Sequence, residues 1–425
     1  MRQNTRRQFL QSAAGAVAVY ELGRHLPGPL ESIPVASADA LPTVAVSKGA
    51  NTDSAETILR TALDGLGGIG RFVKPGQTVA IKPNATWAYP PGTASSTDPD
   101  LLRALILMVK NAGARRVIVM DHCSIDPGTA ECLRASGIGA VVDKLGVDKI
   151  FPDRYLSPKE LYTQIDLPKG KAFQKLGVIK AAAEADVRIN MAVAKSHVVT
   201  KLTMCLKHMM GFLELPNSLH AQLEQGIADI NSPSPIQAQL HILEAIRVRL
   251  PVGAKRQAGG DETEKTHPEK IKRLNQIVAG TDPVLMDAFG CVSYFSFKPQ
   301  ELTHLKRAWE SGLGEIDVDK ATREGRLRVF TAGQPVVTPT PILQATATQP
   351  AAFAPAMLTV PIPTNTPLSV ADRGGAVSGP EASTPRESAD VIDPRPFLSG
   401  ALIPAAAILA GLGIVARRLM RQDKE

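Results

Sequence analysis

The sequence predicts an α/β protein: a mainly parallel sheet with helices on both faces, followed by a disordered Pro/Thr-rich linker and one C-terminal transmembrane helix. Three observations lead there. Between residues 41 and 333, short apolar runs alternate with stretches of helical period, the pattern of strands joined by crossover helices. From Gln334 to Pro396 the period disappears, and 12 of the chain's 33 prolines fall there among Thr, Ala and Ser. Phe397 to Ala416 then runs without a charge into Arg417-Arg418-Leu419-Met420-Arg421, which reads as a membrane span held by cytoplasmic arginines.

Taken in order, the chain begins with Thr5-Arg6-Arg7-Gln8-Phe9-Leu10 and a short apolar stretch of small residues. A paired arginine before such a stretch is the pattern of a twin-arginine export signal, with an ordinary secretory signal as the alternative. Glu21 and Arg24 interrupt the stretch, so it is too short to span, and Ala36-Ser37-Ala38 supplies a small-x-small cleavage site. The helix face Ile58, Leu59, Ala62, Leu63 follows, then the buried strand Thr78-Val79-Ala80-Ile81. Asp98-Pro99 caps and starts a helix whose apolar side is Leu101, Leu102, Leu105, Ile106 and Val109. Arg116 to Met120, Asp186 to Met191 and Gln276 to Ala279 read as further strands. The span over 397–416 tolerates Pro404 and three glycines because lipid forces the backbone to bond internally. The expected organisation is a signal peptide over 1–40, an α/β domain over 41–333 and a linker over 334–396 with a reach of about 45 Å. A transmembrane helix over 397–416 and a basic cytoplasmic tail over 417–425 complete it. The body is thereby expected on the extracytoplasmic face of the cytoplasmic membrane, with the twin-arginine translocation machinery and the membrane as partners.

Charge argues against nucleic acid. Of the formal net charge of +7, residues 1–38 and 417–425 carry +2 each, leaving +3 with no basic run between them. No cofactor is assigned. Cys123, Cys132, Cys205 and Cys291 are too dispersed for a ferredoxin-type cluster, though Cys123 and Cys132 could either pair in an oxidising compartment or remain buried thiols. Gly65-Leu66-Gly67-Gly68-Ile69-Gly70 matches the dinucleotide fingerprint in letters. That mechanism needs a strand before and a helix after, whereas here a helix precedes and a strand follows, so the glycines read as a helix stop.

The functional signal stands at strand ends, where ligands bind in parallel α/β sheets. Lys82-Pro83-Asn84 follows one strand, Asp121-His122 another, Lys195-Ser196-His197 a third, and Thr281-Asp282-Pro283 a fourth, with Asp287 one helical turn on. Lys207 and His208 lie within an apolar, Met-rich segment able to return to the same cleft. Lysines beside Asn, His and Asp suit a small anionic ligand such as a carboxylate or phosphate. The candidate catalytic residues are therefore His197 and Lys195, with Lys82, Asn84, Asp121, Lys207, His208, Asp282 and Asp287 as ligand-binding candidates. His197 would act as acid or base near neutrality. Asp282-Pro283 equally reads as a helix cap. His197, Asp121, His122 and Asp282 could instead hold a divalent metal, though without a recognised ligand spacing. Two functions stay open: an exported enzyme, or a non-catalytic metabolite- or metal-binding accessory protein at the membrane.

Lys82-Pro83-Asn84, Thr97-Asp98-Pro99, Ala112-Gly113-Ala114, Lys195-Ser196-His197, Lys207-His208-Met209-Met210-Gly211 and Ala279 to Val284 occur in an order that resembles the family named domain of unknown function 362, in its twin-arginine-exported branch. The resemblance covers roughly residues 42–320. It implies an α/β fold and no settled activity. Some members carry an iron–sulfur module, but this chain lacks those cysteines. Three positions depart from the family pattern: His208 replaces an amide, Glu244 stands where Asp is frequent, and no Arg precedes His220.

Overall fold

Ser54 and Asp98 start the first two long helices in the same way, each offering a side-chain oxygen to a backbone N–H that the helix cannot satisfy itself. Ser54 Oγ accepts from Thr57 N–H at 3.1 Å and Asp98 Oδ1 from Asp100 N–H at 2.9 Å. Helix α1, Ala55–Gly65, buries Ile58, Leu59, Ala62 and Leu63; α2, Pro99–Asn111, buries Leu101, Leu102, Leu105, Ile106 and Val109. The structure is a computed structural model and describes residues 40–123, 128–153, 157–251 and 268–336. The expected signal peptide apart from Ala40, most of the expected linker, the expected span over 397–416 and the expected basic tail lie outside the described residues. Among the described residues no helix is long and apolar enough to cross a membrane.

Eight strands form the sheet path: β1 (Val44–Lys48), β2 (Thr78–Lys82), β3 (Arg116–Met120), β4 (Asp148–Ile150), β7 (Val187–His197), β9 (Leu240–Arg249), β10 (Ile271–Gly280) and β11 (Leu327–Thr331). Their order is β11-β1-β10-β9-β7-β2-β3-β4, and a short strand β8, Lys201–Thr203, folds back on β7. A separate antiparallel hairpin is made by β5 (Tyr162–Asp166) and β6 (Lys175–Ile179). Pairings β11–β1, β9–β7, β7–β2, β2–β3 and β3–β4 are parallel. Only β10 reverses direction within the path, being antiparallel to both β1 and β9. The fold is thus mixed α/β with a mainly parallel central sheet.

Alternation along the central strands splits the core in two. Val79, Ile81, Ile189 and Met191 face one cluster, with α1, α2 and the helices α3 (Thr129–Ser136) and α4 (Ile138–Leu145). Ala80, Ala192 and Ala194 face the other. That second cluster is closed by α5 (Lys180–Glu184), α6 (Cys205–His208), α7 (Leu223–Ile230), α8 (Pro283–Phe295), α9 (Thr303–Glu310) and α10 (Val318–Arg323). Both faces of each central strand are therefore dry, as a parallel sheet requires. Each fully buried Leu or Ile in these layers contributes about 1.5–3 kcal/mol relative to exposure.

The glycine-rich stretch at 65–70 ends α1: Gly67 and Gly68 take φ of +92° and +83°, conformations that strain any residue with a Cβ. A 3₁₀ turn and then β2 follow, so no helix N-terminus faces these glycines.

Candidate functional site

Because β2, β3 and β7 run the same way, the residues at their carboxyl ends share one rim. There they line a cavity of about 440 Å³. Lys82, Asn84, Asp121, Lys195, His197, Lys207 and His208 all border it, together with Trp87, Thr203, Met210, Gly211 and His220. The seven first-named residues were chosen from sequence; the structure brings them together.

Lys82 is 1% exposed and donates to Asp121 Oδ1 at 2.7 Å. Asp121 Oδ2 accepts the Ala85 N–H at 2.8 Å. Burial works against both charges, pulling the lysine down and the carboxyl up, and the short contact opposes that by letting each ion solvate the other. Lys82 Nζ also lies 2.9 Å from His208 Nε2, and His208 Nδ1 lies 2.6 Å from Asn190 Oδ1. Asn190 Nδ2 in turn reaches the Cys205 carbonyl at 2.9 Å and His241 Nδ1 at 3.0 Å. His241 borders a separate cavity of about 140 Å³ that also touches Thr281 and Pro283.

Lys195 is held where β7 and β9 part. Their register runs regularly to Val193 and Glu244, then jumps to Lys195 against Arg249. The chain around Ser95 reaches into this region: Lys195 Nζ donates to the Ser95 carbonyl at 2.5 Å and to Asn84 Oδ1 at 3.3 Å, while Arg249 Nη1 donates to Ser95 Oγ at 2.8 Å. Burial, with the charges of Arg249 and Lys207 behind it, holds the Lys195 amine well below the usual lysine range. Lys207 falls to about 8, first by burial and then by the charge of Lys82. Lys207 forms no hydrogen bond or ion pair among the described residues.

His197 is fixed as one tautomer. Its Nδ1 accepts from Val199 N–H at 3.1 Å and Thr200 N–H at 3.3 Å, and Thr200 Oγ1 lies 3.1 Å away. Backbone N–H groups only donate, so Nδ1 is bare and the proton sits on Nε2. Burial, then Lys207 and Lys195, push its pKa down to about 2, leaving a neutral ring that presents an N–H. A role as proton acceptor through Nε2 is closed to it in this geometry.

Two sequence candidates lie elsewhere, and this corrects the expected set. Asp282 follows β10, the one reversed strand of the path, so it stands at the opposite rim. There it caps α8, Oδ1 accepting from Leu285 N–H at 2.9 Å, and Oδ2 takes the Glu315 N–H at 3.0 Å. Asp287 Oδ1 and Oδ2 accept the N–H groups of Cys205 and Leu206 at 2.8 and 3.0 Å. It therefore caps α6 from a neighbouring helix and does not line the lysine-bordered cavity. Without Asp282, the proposed metal set loses a member, and among the described residues no group of three His, Cys, Asp or Glu is arranged to hold an ion. Cys123 and Cys132 are buried thiols that form no disulfide; the hydrogen bond between them, then burial, drive the Cys123 pKa upward.

Glu244 does not line the cavity. Its Oε2 accepts Asp98 N–H at 2.9 Å, and burial, reinforced by Asp98, raises its pKa from 4.5 to about 8. Between those values the unfolded chain has released the proton and the folded chain retains it, so stability falls as pH climbs from 4.5 to about 8. Glu244→Gln removes that contribution. Unfolding free energies from denaturant titrations near the two ends of the window should differ less in the variant, by on the order of a few kcal/mol. An unchanged slope would show that Glu244 is ionised throughout.

The residues missed from sequence are Thr203, Gly211 and Asn190. Thr203 pairs with Lys195 across the β7–β8 hairpin and faces the cavity. Gly211 lies against the Lys82–Asp121 pair, where a Cβ would overlap Asp121 Oδ1 and Lys82 Cε. The alternation Lys201, Thr203 was the one available signal for β8, and three residues are too few to read.

Comparison with known proteins adds the following. The chain is 31% identical over 160 residues to a thylakoid-associated protein of Synechocystis sp., the match covering 36% of this chain and 44% of that protein. The chain thus spans less than half the length of this relative. It is similar in structure to the lactate racemase apoprotein of Thermoanaerobacterium thermosaccharolyticum, with a TM-score of 0.33 and 13% identity over 59% of this chain and 56% of that one. A family model described as "Domain of unknown function (DUF362)" matches residues 79–292. These residues include the whole lysine-lined cavity and amount to just over half of the sequence, and the chain belongs to that family.

Proposed function

We propose that the cavity binds a small anionic molecule through carboxylate or phosphate oxygens. One observation carries this reading. Lys82, Lys195 and Lys207 border the cavity against a single carboxylate, Asp121, which is already paired with Lys82. Ammonium groups removed from water need counter-charge, and an entering anion supplies it. Titration of the full chain with inorganic phosphate and with acetate tests the idea, read by calorimetry and by the fluorescence of Trp87 on the cavity wall. Binding of at least one anion is expected at neutral pH. Affinity should fall by about tenfold for each pH unit above about 8, as Lys207 loses its proton. No response to either anion would remove the reading.

Lys195 favours a catalytic version. Its two hydrogen bonds engage two N–H groups, and a neutral amine would then keep its lone pair toward the cavity. In that version Lys195 is the proton acceptor or nucleophile, and His197 donates Nε2–H to developing charge on the ligand. The alternative is a metabolite-binding accessory protein that uses the same donors without turnover.

For location, our reading is export through the twin-arginine route and tethering by the apolar segment 397–416. The motif at 5–10 and the arginines after Ala416 support it. The name of the Synechocystis relative, thylakoid-associated, agrees with residence at a membrane. Cell fractionation with and without residues 397–425 tests the tether; a truncated chain that stays with the membrane fraction argues against it.

A further inference from the structure

The three cavity lysines are not equivalent. Lys82 gives protons to Asp121 and His208, and Lys195 gives them to Ser95 and Asn84. Lys207 gives none to the protein among the described residues. Thr203 shows the same deficit in a neutral group: it is 5% exposed, borders the cavity, and its Oγ1 has no hydrogen-bond partner among the described residues. A buried hydroxyl left alone is destabilising, because it gives up water without gaining a hydrogen bond in return. His197 supplies a third unused donor, since its Nε2–H has no acceptor among the described residues and the ring borders the same space. These groups share a surface. In the β7–β8 hairpin Lys195 faces Thr203 and His197 faces Lys201, which puts His197 and Thr203 on one face as diagonal neighbours. Lys207 follows Thr203 by four residues, on the short helix Cys205–His208, and borders the same cavity. His304 on α9 adds a further buried atom without a partner, Nε2, close enough to Lys207 for the lysine's charge to act on it.

We infer that Lys207, Thr203 and His197 form the seat for the ligand's oxyanion, three donors without an acceptor among the described residues, while Lys82 and Lys195 frame the rest of the molecule. The inference rests on the anion-binding reading above and assigns roles within it. The chemistry is that of a carboxylate or phosphate group, whose ionised oxygens accept several hydrogen bonds at once.

The test separates the two levels. Full-length wild type, Thr203→Val, Thr203→Ser and Lys207→Met are titrated with inorganic phosphate and with acetate, and each is melted without added anion. Thr203→Val should weaken anion binding about tenfold and Lys207→Met about thirtyfold, as expected for hydrogen bonds to a charged group. Thr203→Ser should bind as wild type does. Without anion, Thr203→Val should melt at the wild-type temperature or higher, because it removes an unsatisfied buried hydroxyl. Wild-type affinity in Thr203→Val and Lys207→Met overturns the seat while leaving the anion site standing. A joint loss of affinity and melting temperature in Thr203→Val also overturns it, since that marks the hydroxyl as structural. Silence of the wild type toward both anions overturns the seat together with the reading beneath it.

Discussion

Gly211→Ala is expected to disable the cavity and to cost about 3–5 kcal/mol of stability, the range found when one member of a buried ion pair is displaced. The new Cβ would occupy the space of Asp121 Oδ1 and Lys82 Cε, and neither can retreat. Lys82 is packed on the Phe212 ring at 6.0 Å, and Asp121 is tied to Ala85 N–H. The side chains must therefore separate or the Met209–Phe212 turn must shift. Either leaves a charge without its partner in a dry setting. Equilibrium denaturation measures the loss, and phosphate titration measures the damage to the site. In a Lys82→Ala, Asp121→Ala background the added methyl has room, so its cost should shrink to below about 1 kcal/mol. A cost that is the same in both backgrounds would trace the effect to backbone strain instead of the ion pair.

Asp287→Ala should be nearly as damaging, about 2–4 kcal/mol, through two N–H groups left without an acceptor. The four-residue helix Cys205–His208 has no side-chain cap of its own at Met204, and Asp287 supplies the missing acceptor from α8. That helix carries Lys207 and His208 into the cavity, so loosening its first turn should also weaken anion binding. Burial raises the Asp287 carboxyl to about 7, and Asn, which retains one acceptor oxygen, should recover part of both losses. Urea denaturation and phosphate titration of Asp287→Ala and Asp287→Asn check this. Loss of stability with unaltered affinity would mean that the Lys207 turn is held by its apolar contacts alone.

The rim carrying Lys82, Asp121, Lys195 and His197 was legible because strands joined by helices run the same way, and their carboxyl ends must then meet. The same reasoning misplaced Asp282. Gln276 to Ala279 reads as a strand in either direction, and nothing in its own residues reveals that β10 lies antiparallel between β1 and β9. The cap pattern of Asp282-Pro283 was the sounder guide, since it depends only on local chain geometry. Strand β9 left no trace of period two: His241, Glu244 and Arg249 are polar yet buried, each bound to a partner distant in sequence. The state of His197 was likewise hidden. Its tautomer is set by the backbone of Val199 and Thr200, which depends on the tight connection into β8. Sequence identified the charges, and tertiary contacts decided which of them are occupied.

One backbone carbonyl gives the buried polar line a polarity. The Cys205 oxygen can only receive, so the Asn190 amide must aim its nitrogen there, and its oxygen is left for His208. His208 then wears its hydrogen on Nδ1, its Nε2 is bare, and Lys82 has to be the giver. Reversing any one link would need every member to turn, against an oxygen that cannot. The imidazole at 208 thus works as a fixed acceptor for Lys82, while the neighbouring Asp121 carboxylate opposes the neutrality that seclusion from water favours.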